Sequence, residues 1–228
     1  MAEFNVDEIK EFQSRSLVEV IFRQMEGMIL AGNFQPGERI NESRIAALLG
    51  VSRAPIREAL RLLASSGILE VRANRGMFVR DIQPREVDEL YDIRGALDAL
   101  AGERAAALFR EDQRPRLERW MGEMAVHVEA KDVGGYYRAN INFHTAIVEI
   151  AGNENLLAMY EGICKRMSLF RQASLSLPGQ LGVSLQKHRK IADAITANDP
   201  AKAGNLLRHH TLEAKKTLLR AIKGKKTT

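Results

Sequence analysis

Leu49-Gly50-Val51-Ser52-Arg53-Ala54-Pro55-Ile56-Arg57-Glu58-Ala59-Leu60 is the stretch whose reading decides the fold of this 228-residue chain. Gly50 suits the end of one helix, and Ser52 can cap the next. Pro55 is tolerated there because the first helical turn has no intrahelical partner for its missing N–H. At about 100° per residue, Arg53, Arg57 and Arg61 fall on one stripe and Ile56, Ala59, Leu60 and Leu63 on another. The spacing predicts a helix that buries its apolar stripe and turns three guanidiniums outward. The bland alternative is a solvated face whose arginines pair with neighbours such as Glu58.

Upstream, Leu17, Val18, Ile21, Met25, Met28 and Ile29 make one face of an amphipathic helix over 16–30. Gly32 is expected to stop it, and Pro36-Gly37 to make the following turn. Asn41 can cap a short second helix with Glu42 in its first turn and Ile45, Ala46, Leu48 and Leu49 available for burial. Two short helices joined by Gly50-Val51-Ser52 have the length and turn chemistry of a helix-turn-helix. After Gly67, Leu69-Glu70-Val71-Arg72-Ala73 alternates, Asn74-Arg75-Gly76 supplies a turn, and Met77-Phe78-Val79-Arg80 alternates again. Such a two-stranded ribbon is a wing, and outward arginines beside a wing favour double-stranded DNA as partner.

Charge supports this only through its placement. The net charge is +5, from 34 Lys and Arg against 29 Asp and Glu. Residues 1–81 are balanced, with 11 of each sign, so the excess lies in the C-terminal two-thirds. Within 39–80, however, eight arginines face only Glu42, Glu58 and Glu70. No lysine occurs between Lys10 and Lys131, so every basic group in that window is a guanidinium able to fork onto phosphate or guanine. Composition is ordinary for a globular chain, at 45% hydrophobic and 28% charged residues. Lone Cys164 excludes an intramolecular disulfide, no apolar run is long enough to cross a membrane, and the acidic opening argues against a signal peptide. A cytoplasmic protein with no membrane partner is the expectation.

Taken in order, Pro36-Gly37-Glu38-Arg39-Ile40, the stretch 49–60, Gly67-Ile68-Leu69 and Asn74-Arg75-Gly76 resemble the winged-helix domain of GntR-family bacterial transcription regulators. The resemblance implies that Arg53 and Arg57 read bases or phosphates in the major groove, that Ser52 touches phosphate, and that Gly76 lets the wing tip enter the minor groove. It gives a DNA-binding set of Ser52, Arg53, Ala54, Arg57, Arg61, Arg75 and Gly76 on a domain spanning 8–81. One position departs. Many members carry an arginine where this chain has Ser43, with Arg44 one position on, so that contact is not carried over.

From residue 84 onward there is no strand pattern. Helices are predicted over 84–109, 112–130, 132–151, 154–176, 182–197 and 199–222, with breaks at Gly152-Asn153, Pro178-Gly179 and Asp199-Pro200. The chain should therefore be mainly α: an N-terminal winged helix-turn-helix, an all-α bundle over 84–222, and a frayed basic tail over 223–228. The bundle resembles the C-terminal sensor (FCD) domain of the FadR-type branch of the family. Arg94 and Asp98 match its early Arg-x-x-x-acid, and Asn140-x-x-Phe143-His144 matches its Asp-x-x-Phe-His.

Three of the five histidines read as inward-facing. His144 shares a helix face with Asn140, Ile141, Ile147 and Val148; His188 lies between Leu185 and Ile191; His210 lies on the stripe of Leu206, Leu207, Ala214 and Leu218. His209 falls instead on a polar side with Asn205 and Glu213. A single inward histidine is more often a satisfied core residue, but three from three helices, with an amide one turn away, make a metal site the better reading. The resemblance implies a divalent transition metal held by an Asp and three His, which here become Asn140, His144, His188 and His210; zinc, nickel and manganese are not distinguished. A neutral amide in place of a carboxylate should weaken the metal and strengthen its attraction for an anion. Arg94 could hold the far end of such an anion, or form an internal ion pair with Asp98, or both.

The favoured function is a homodimeric, sequence-specific transcription regulator, a repressor by family habit, whose DNA affinity responds to a small carboxylate at the metal site. Dimerisation follows from symmetry, since one winged helix reads few base pairs. Two alternatives stand beside it: a metal-dependent hydrolase, disfavoured because no glutamate sits in a His-Glu-x-x-His or similar motif, and a regulator whose metal is purely structural.

Overall fold

The computed structural model describes residues 6–30, 33–81, 83–175 and 179–225, and the side chains of 17–29, 33–81, 83–167 and 179–220 among them. The chain divides into two compact units, Met1–Ile82 and Gln83–Thr228.

In the first unit, α1 (Val6–Leu30) is followed by α2 (Glu42–Leu49), α3 (Arg53–Ser65), β1 (Leu69–Arg72) and β2 (Gly76–Val79). The helix predicted from residue 16 thus begins ten residues earlier; Gly32, expected to end it, lies outside the described residues. Ile21, Met25 and Ile29 of α1 are buried against α3, whose Ile56, Ala59, Leu60 and Leu63 are fully enclosed. The strands pair antiparallel, Leu69 opposite Val79 and Arg72 opposite Gly76. Residues 37–40 run along the other edge of β2, with Gly37 N donating to Val79 O and Ile40 N to Met77 O, both at 2.9 Å. Asn41 caps α2 as its sequence predicts, its Oδ1 accepting from Arg44 N at 3.0 Å. Gly50 closes the helix in the left-handed region at φ 65°, its N–H turned back to Ala46 O.

Two expectations fail here. Ser52 occupies the N-cap position of α3 but makes no side-chain capping bond. Of the four α2 residues expected to be available for burial, Ile45, Ala46, Leu48 and Leu49, only Ala46 is buried; Leu48 is 81% and Leu49 49% exposed. An eight-residue helix with apolar groups at all of 45–49 spreads them too widely for one partner, and α3 takes the Ala46 side.

The second unit holds α4 (Pro84–Leu108), a 3-10 turn at Glu111–Gln113, α5 (Arg114–Glu129), α6 (Val133–Ile150), α7 (Glu154–Leu175), α8 (Gln180–Thr196) and α9 (Pro200–Lys225). Asp132 caps α6 by accepting from Gly135 N at 2.9 Å, Asn153 caps α7 through Leu156 N at 3.0 Å, and Asp199 caps α9 through Lys202 N at 3.1 Å. Gly179 precedes α8 at φ 74°, while Pro178 lies outside the described residues. Helix α9 continues to Lys225, past the point where a frayed tail was expected; 226–228 lie outside the described residues. The longest apposition is α4 against α9, and it is close because small residues meet: a Cβ on Gly102 would lie 2.8 Å from Ala203 O, and one on Gly204 3.0 Å from Ala99 O. Among the described residues no helix is long and apolar enough to cross a membrane.

Candidate nucleic-acid interface and metal centre

Helix α3 carries the first site. With its apolar stripe enclosed, it leaves the side chains of Arg53, Arg57 and Arg61 58%, 48% and 65% exposed, as the periodicity predicts. They are not bare. Glu42, in the first turn of α2, accepts from Arg57 Nε at 3.2 Å and from Arg53 NH2 at 3.5 Å, while Arg61 lies 3.7 Å from Glu58. Both the outward stripe and the local ion pair are therefore present, although the carboxylate serving Arg53 and Arg57 comes from another helix. Ala54 and Ser52 are exposed at the N-terminal end of α3, where backbone N–H groups and the helix dipole favour an anion.

At the wing tip Arg75 N donates to Arg72 O at 2.9 Å, Asn74 lies at φ 58° and Gly76 at φ 98°. A side chain at Gly76 would be strained by that φ, and its Cβ would lie 3.5 Å from Arg39 Nε. Arg75 and Gly76 are exposed; Arg72 instead lies over the Phe78 ring at 4.2 Å and pairs with Glu70 at 2.6 Å, stiffening the ribbon.

The second site is buried within the helical unit. His144 from α6, His188 from α8 and His210 from α9 are 1%, 0% and 7% exposed, while His209 points outward. One nitrogen from each of the three lies within 4.8 Å of the other two. His144 Nε2 and His188 Nε2 are 3.1 Å apart, and the His188 and His210 ring centres 4.5 Å apart. Two nitrogens each ~2.0–2.1 Å from one zinc ion, at tetrahedral or octahedral angles, would be about 3 Å apart, so the spacing fits a shared metal. The far side of one ring has a polar neighbour at hydrogen-bond distance, Tyr136 Oη 3.3 Å from His188 Nδ1, while Asp98 Oδ1 lies 3.7 Å from His144 Nδ1, within ion-pair range. A small opening of about 40 Å³ reaches His210 between α8 and α9, spanned by a Lys187–Glu213 ion pair of 2.5 Å.

Beside the imidazoles runs a buried polar chain. Arg94 donates through Nε to Asp98 Oδ2 at 3.1 Å and through NH2 to Tyr160 Oη at 2.7 Å; the Thr211 hydroxyl donates to the same Asp98 oxygen at 2.5 Å. Burial alone would push the Asp98 carboxyl up, but the Arg94 guanidinium, His144 and Thr211 hold it far below the usual carboxylate range. Two donors are left over. Arg94 NH1 and Asn140 Nδ2 are buried and have no hydrogen-bond partner. Leaving such a group unmet costs about 1–3 kcal/mol, and more when it is charged. The internal ion pair expected for Arg94 is thus present, with one arm of the fork to spare. The sequence missed Tyr136, Tyr160 and Thr211, whose partners are 52, 66 and 113 residues away.

A winged helix-turn-helix in one unit and a helical bundle with a buried histidine triad in another define a class of two-unit DNA-binding regulators. Residues 17–79 match the bacterial regulatory proteins of the gntR family and residues 89–213 the FCD domain. The chain belongs to the GntR family of transcription regulators, in the group that carries an FCD domain. It is 32% identical to the "Uncharacterized HTH-type transcriptional regulator YdhC" of Bacillus subtilis (strain 168), over 82% of this chain and 85% of that protein. It is 36% identical to the "Probable D-xylose utilization operon transcriptional repressor" of Paenarthrobacter nicotinovorans, over 80% of each. The solved structure of E. coli McbR/YncC shares the fold, with a TM-score of 0.76 at 22% identity, covering 90% of this chain and 97% of that one. The matching families and relatives are transcription regulators, not enzymes, which sets the hydrolase alternative aside.

Proposed function

We propose that this regulator is a cytoplasmic homodimer that represses transcription by binding an operator through α3 and the wing, and that a small carboxylate bound in the helical unit at a divalent metal controls its DNA affinity. Arg53 and Arg57 contact bases or phosphates in the major groove, with Ser52, Ala54 and Arg61 at the backbone beside them, and Arg75 and Gly76 form the tip that enters the minor groove. Repression is supported by the relative named for it. His144, His188 and His210 would hold the metal, with the Asn140 amide oxygen as fourth ligand. When bound, the ion supplies a Lewis-acidic position for one end of the effector.

The observation that carries the reading is the pair of unmet buried donors, Arg94 NH1 and Asn140 Nδ2, beside a converging histidine triad. Charge points the same way. Arg94 and Asp98 cancel, and the three imidazoles and the amide are neutral as ligands, so a divalent ion would leave two positive charges without a protein counter-ion. A carboxylate supplies one of those charges and an acceptor for the free arm of Arg94. Regulation then requires only that the effector favour one of two arrangements of the DNA-binding units over the other.

The test is elemental analysis of the purified protein with DNA-binding titrations against a panel of mono-, di- and tricarboxylates, with and without chelator. Wild type should carry about one transition-metal ion per chain and respond to at least one carboxylate, only with metal bound. The His188→Ala/His210→Ala variant should lose both. Equal metal content in that variant would sink the site. A lower melting temperature on chelation, with no carboxylate changing DNA affinity, would make the metal purely structural.

A further inference from the structure

A carboxylate, Glu42, lies beneath Arg53 and Arg57. Glu42 is only 18% exposed, whereas the Arg53 and Arg57 side chains that reach it are 58% and 48% exposed, so the carboxylate is the fixed member and the guanidiniums lie over it. It is anchored from below, at the first position of α2, where the Asn41 cap fixes the turn and the helix dipole favours a negative charge. The atoms it uses matter. It takes Nε of Arg57, at 3.2 Å, and one terminal nitrogen of Arg53, at 3.5 Å. An arginine held at Nε keeps both terminal nitrogens, the edge that forks onto guanine O6 and N7, facing away from its clamp.

We infer that Glu42 is a positioning and specificity-determining residue: it aims the Arg53 and Arg57 guanidiniums from α2 and, by cancelling one of their charges, suppresses their attachment to phosphate at unselected sequences. This rests on the reading that Arg53 and Arg57 contact DNA. Electrostatic attraction to phosphate is blind to sequence, and each neutralised phosphate steepens the salt dependence of binding. A carboxylate within 3.5 Å of two guanidiniums halves the local charge they offer to any duplex, while leaving the forked edge of Arg57 and one terminal nitrogen of Arg53 for a duplex whose base edges fit. Discrimination rises because the sequence-blind contribution falls.

The experiment uses the full-length protein, a duplex of about 30 base pairs selected by the wild type from a random pool, and a scrambled duplex of equal length, each titrated across about 50–300 mM salt. Glu42→Gln should bind the scrambled duplex severalfold more tightly, steepen the log–log salt slope by about 0.9, and lower the selected-to-scrambled ratio about tenfold. Glu42→Asp keeps the charge but falls one methylene short; it should keep the slope and lose part of the ratio. A merely structural role for Glu42 would not steepen the slope. In an Arg53→Ala/Arg57→Ala background, Glu42→Gln should leave the ratio unchanged. An unaltered ratio and slope for Glu42→Gln in the wild-type background, or the same drop in ratio with the arginines absent, overturns the inference. Failure of the underlying reading looks different: the Arg53→Ala/Arg57→Ala protein would itself bind the selected duplex as tightly as wild type.

Discussion

At the scale of single residues the helical unit turns on two side chains that a simpler core would replace. Asn140 is the first. An Asn140→Asp change puts a carboxylate one turn from His144 and supplies one of the two charges the triad lacks, so metal affinity, measured by competition with a chelator, should rise at least about tenfold. The response to added carboxylates should weaken in step, because only one of the ion's two positive charges is then left for an external anion. Unchanged affinity would show that residue 140 does not touch the ion. Arg94 is the second. Removing Asp98 alone, as in Asp98→Ala, leaves a guanidinium 1% exposed without its counter-charge and should cost about 3–5 kcal/mol of stability. An Arg94→Met/Asp98→Leu double change should recover much of that while abolishing the carboxylate response. If the double variant melted as low as Asp98→Ala, the pair would be a structural element. The sequence showed that Arg94 and Asp98 lie one turn apart, and that is a statement about one helix. That Arg94 spends only two of its three nitrogens on protein partners depends on Tyr160 in α7, beyond the reach of any periodicity.

Between elements, the α4–α9 seam is fixed by glycine. At Gly102 a Cβ would lie 2.6 Å from Leu207 Cδ1 and 2.8 Å from Ala203 O, and a backbone oxygen cannot step aside as a side chain can. Gly102→Ala should therefore destabilise the helical unit by about 1–3 kcal/mol despite alanine's better helix propensity. Gly122→Ala in α5, where nothing lies within 4 Å of the added carbon, should stabilise it by about 0.5–1 kcal/mol. Thermal denaturation of the two variants gives opposite signs if the seam is this tight, and equal signs if the helices part easily. In the helical unit, helix positions were legible in the sequence to within a few residues because breaks such as Gly152-Asn153 and Asp199-Pro200 carry their own chemistry, whereas α1 starts ten residues before its apolar face shows. Burial was legible where an apolar stripe was long, as on α3, and not on α2. There two full turns give no stripe, and the exposure of Leu48 depends on what its neighbours leave uncovered. The Ser52 cap failed for a related reason: composition names the residues able to cap, while the hydroxyl's partner is chosen by a single torsion.

For the whole molecule, charge and symmetry set what one chain can do. The N-terminal third is electrically balanced, so it does not adhere to DNA by net charge, and its affinity must come from where a few guanidiniums are placed. Each well-made forked contact to a base is worth about 1–3 kcal/mol of discrimination, and α3 offers Arg53 and Arg57 for the purpose. One unit thus yields about 2–6 kcal/mol, reaching only the lower part of the roughly 4–10 kcal/mol by which specific binding usually exceeds non-specific binding. Two units related by a two-fold axis double the contribution, and they do so only on a site that shares their symmetry. Selection from a random pool should therefore return an inverted repeat with half-sites about one helical turn, ~10 base pairs, apart. Base changes in the two halves should weaken binding equally, and sedimentation should report twice the 25.5 kDa chain mass in the absence of DNA. Inserting about five base pairs between the half-sites turns one of them to the opposite face of the duplex, and affinity should fall to that of the scrambled sequence. A lone half-site bound as tightly as the full repeat would mean that a single unit supplies all the discrimination, and the dimer reading would fall with it.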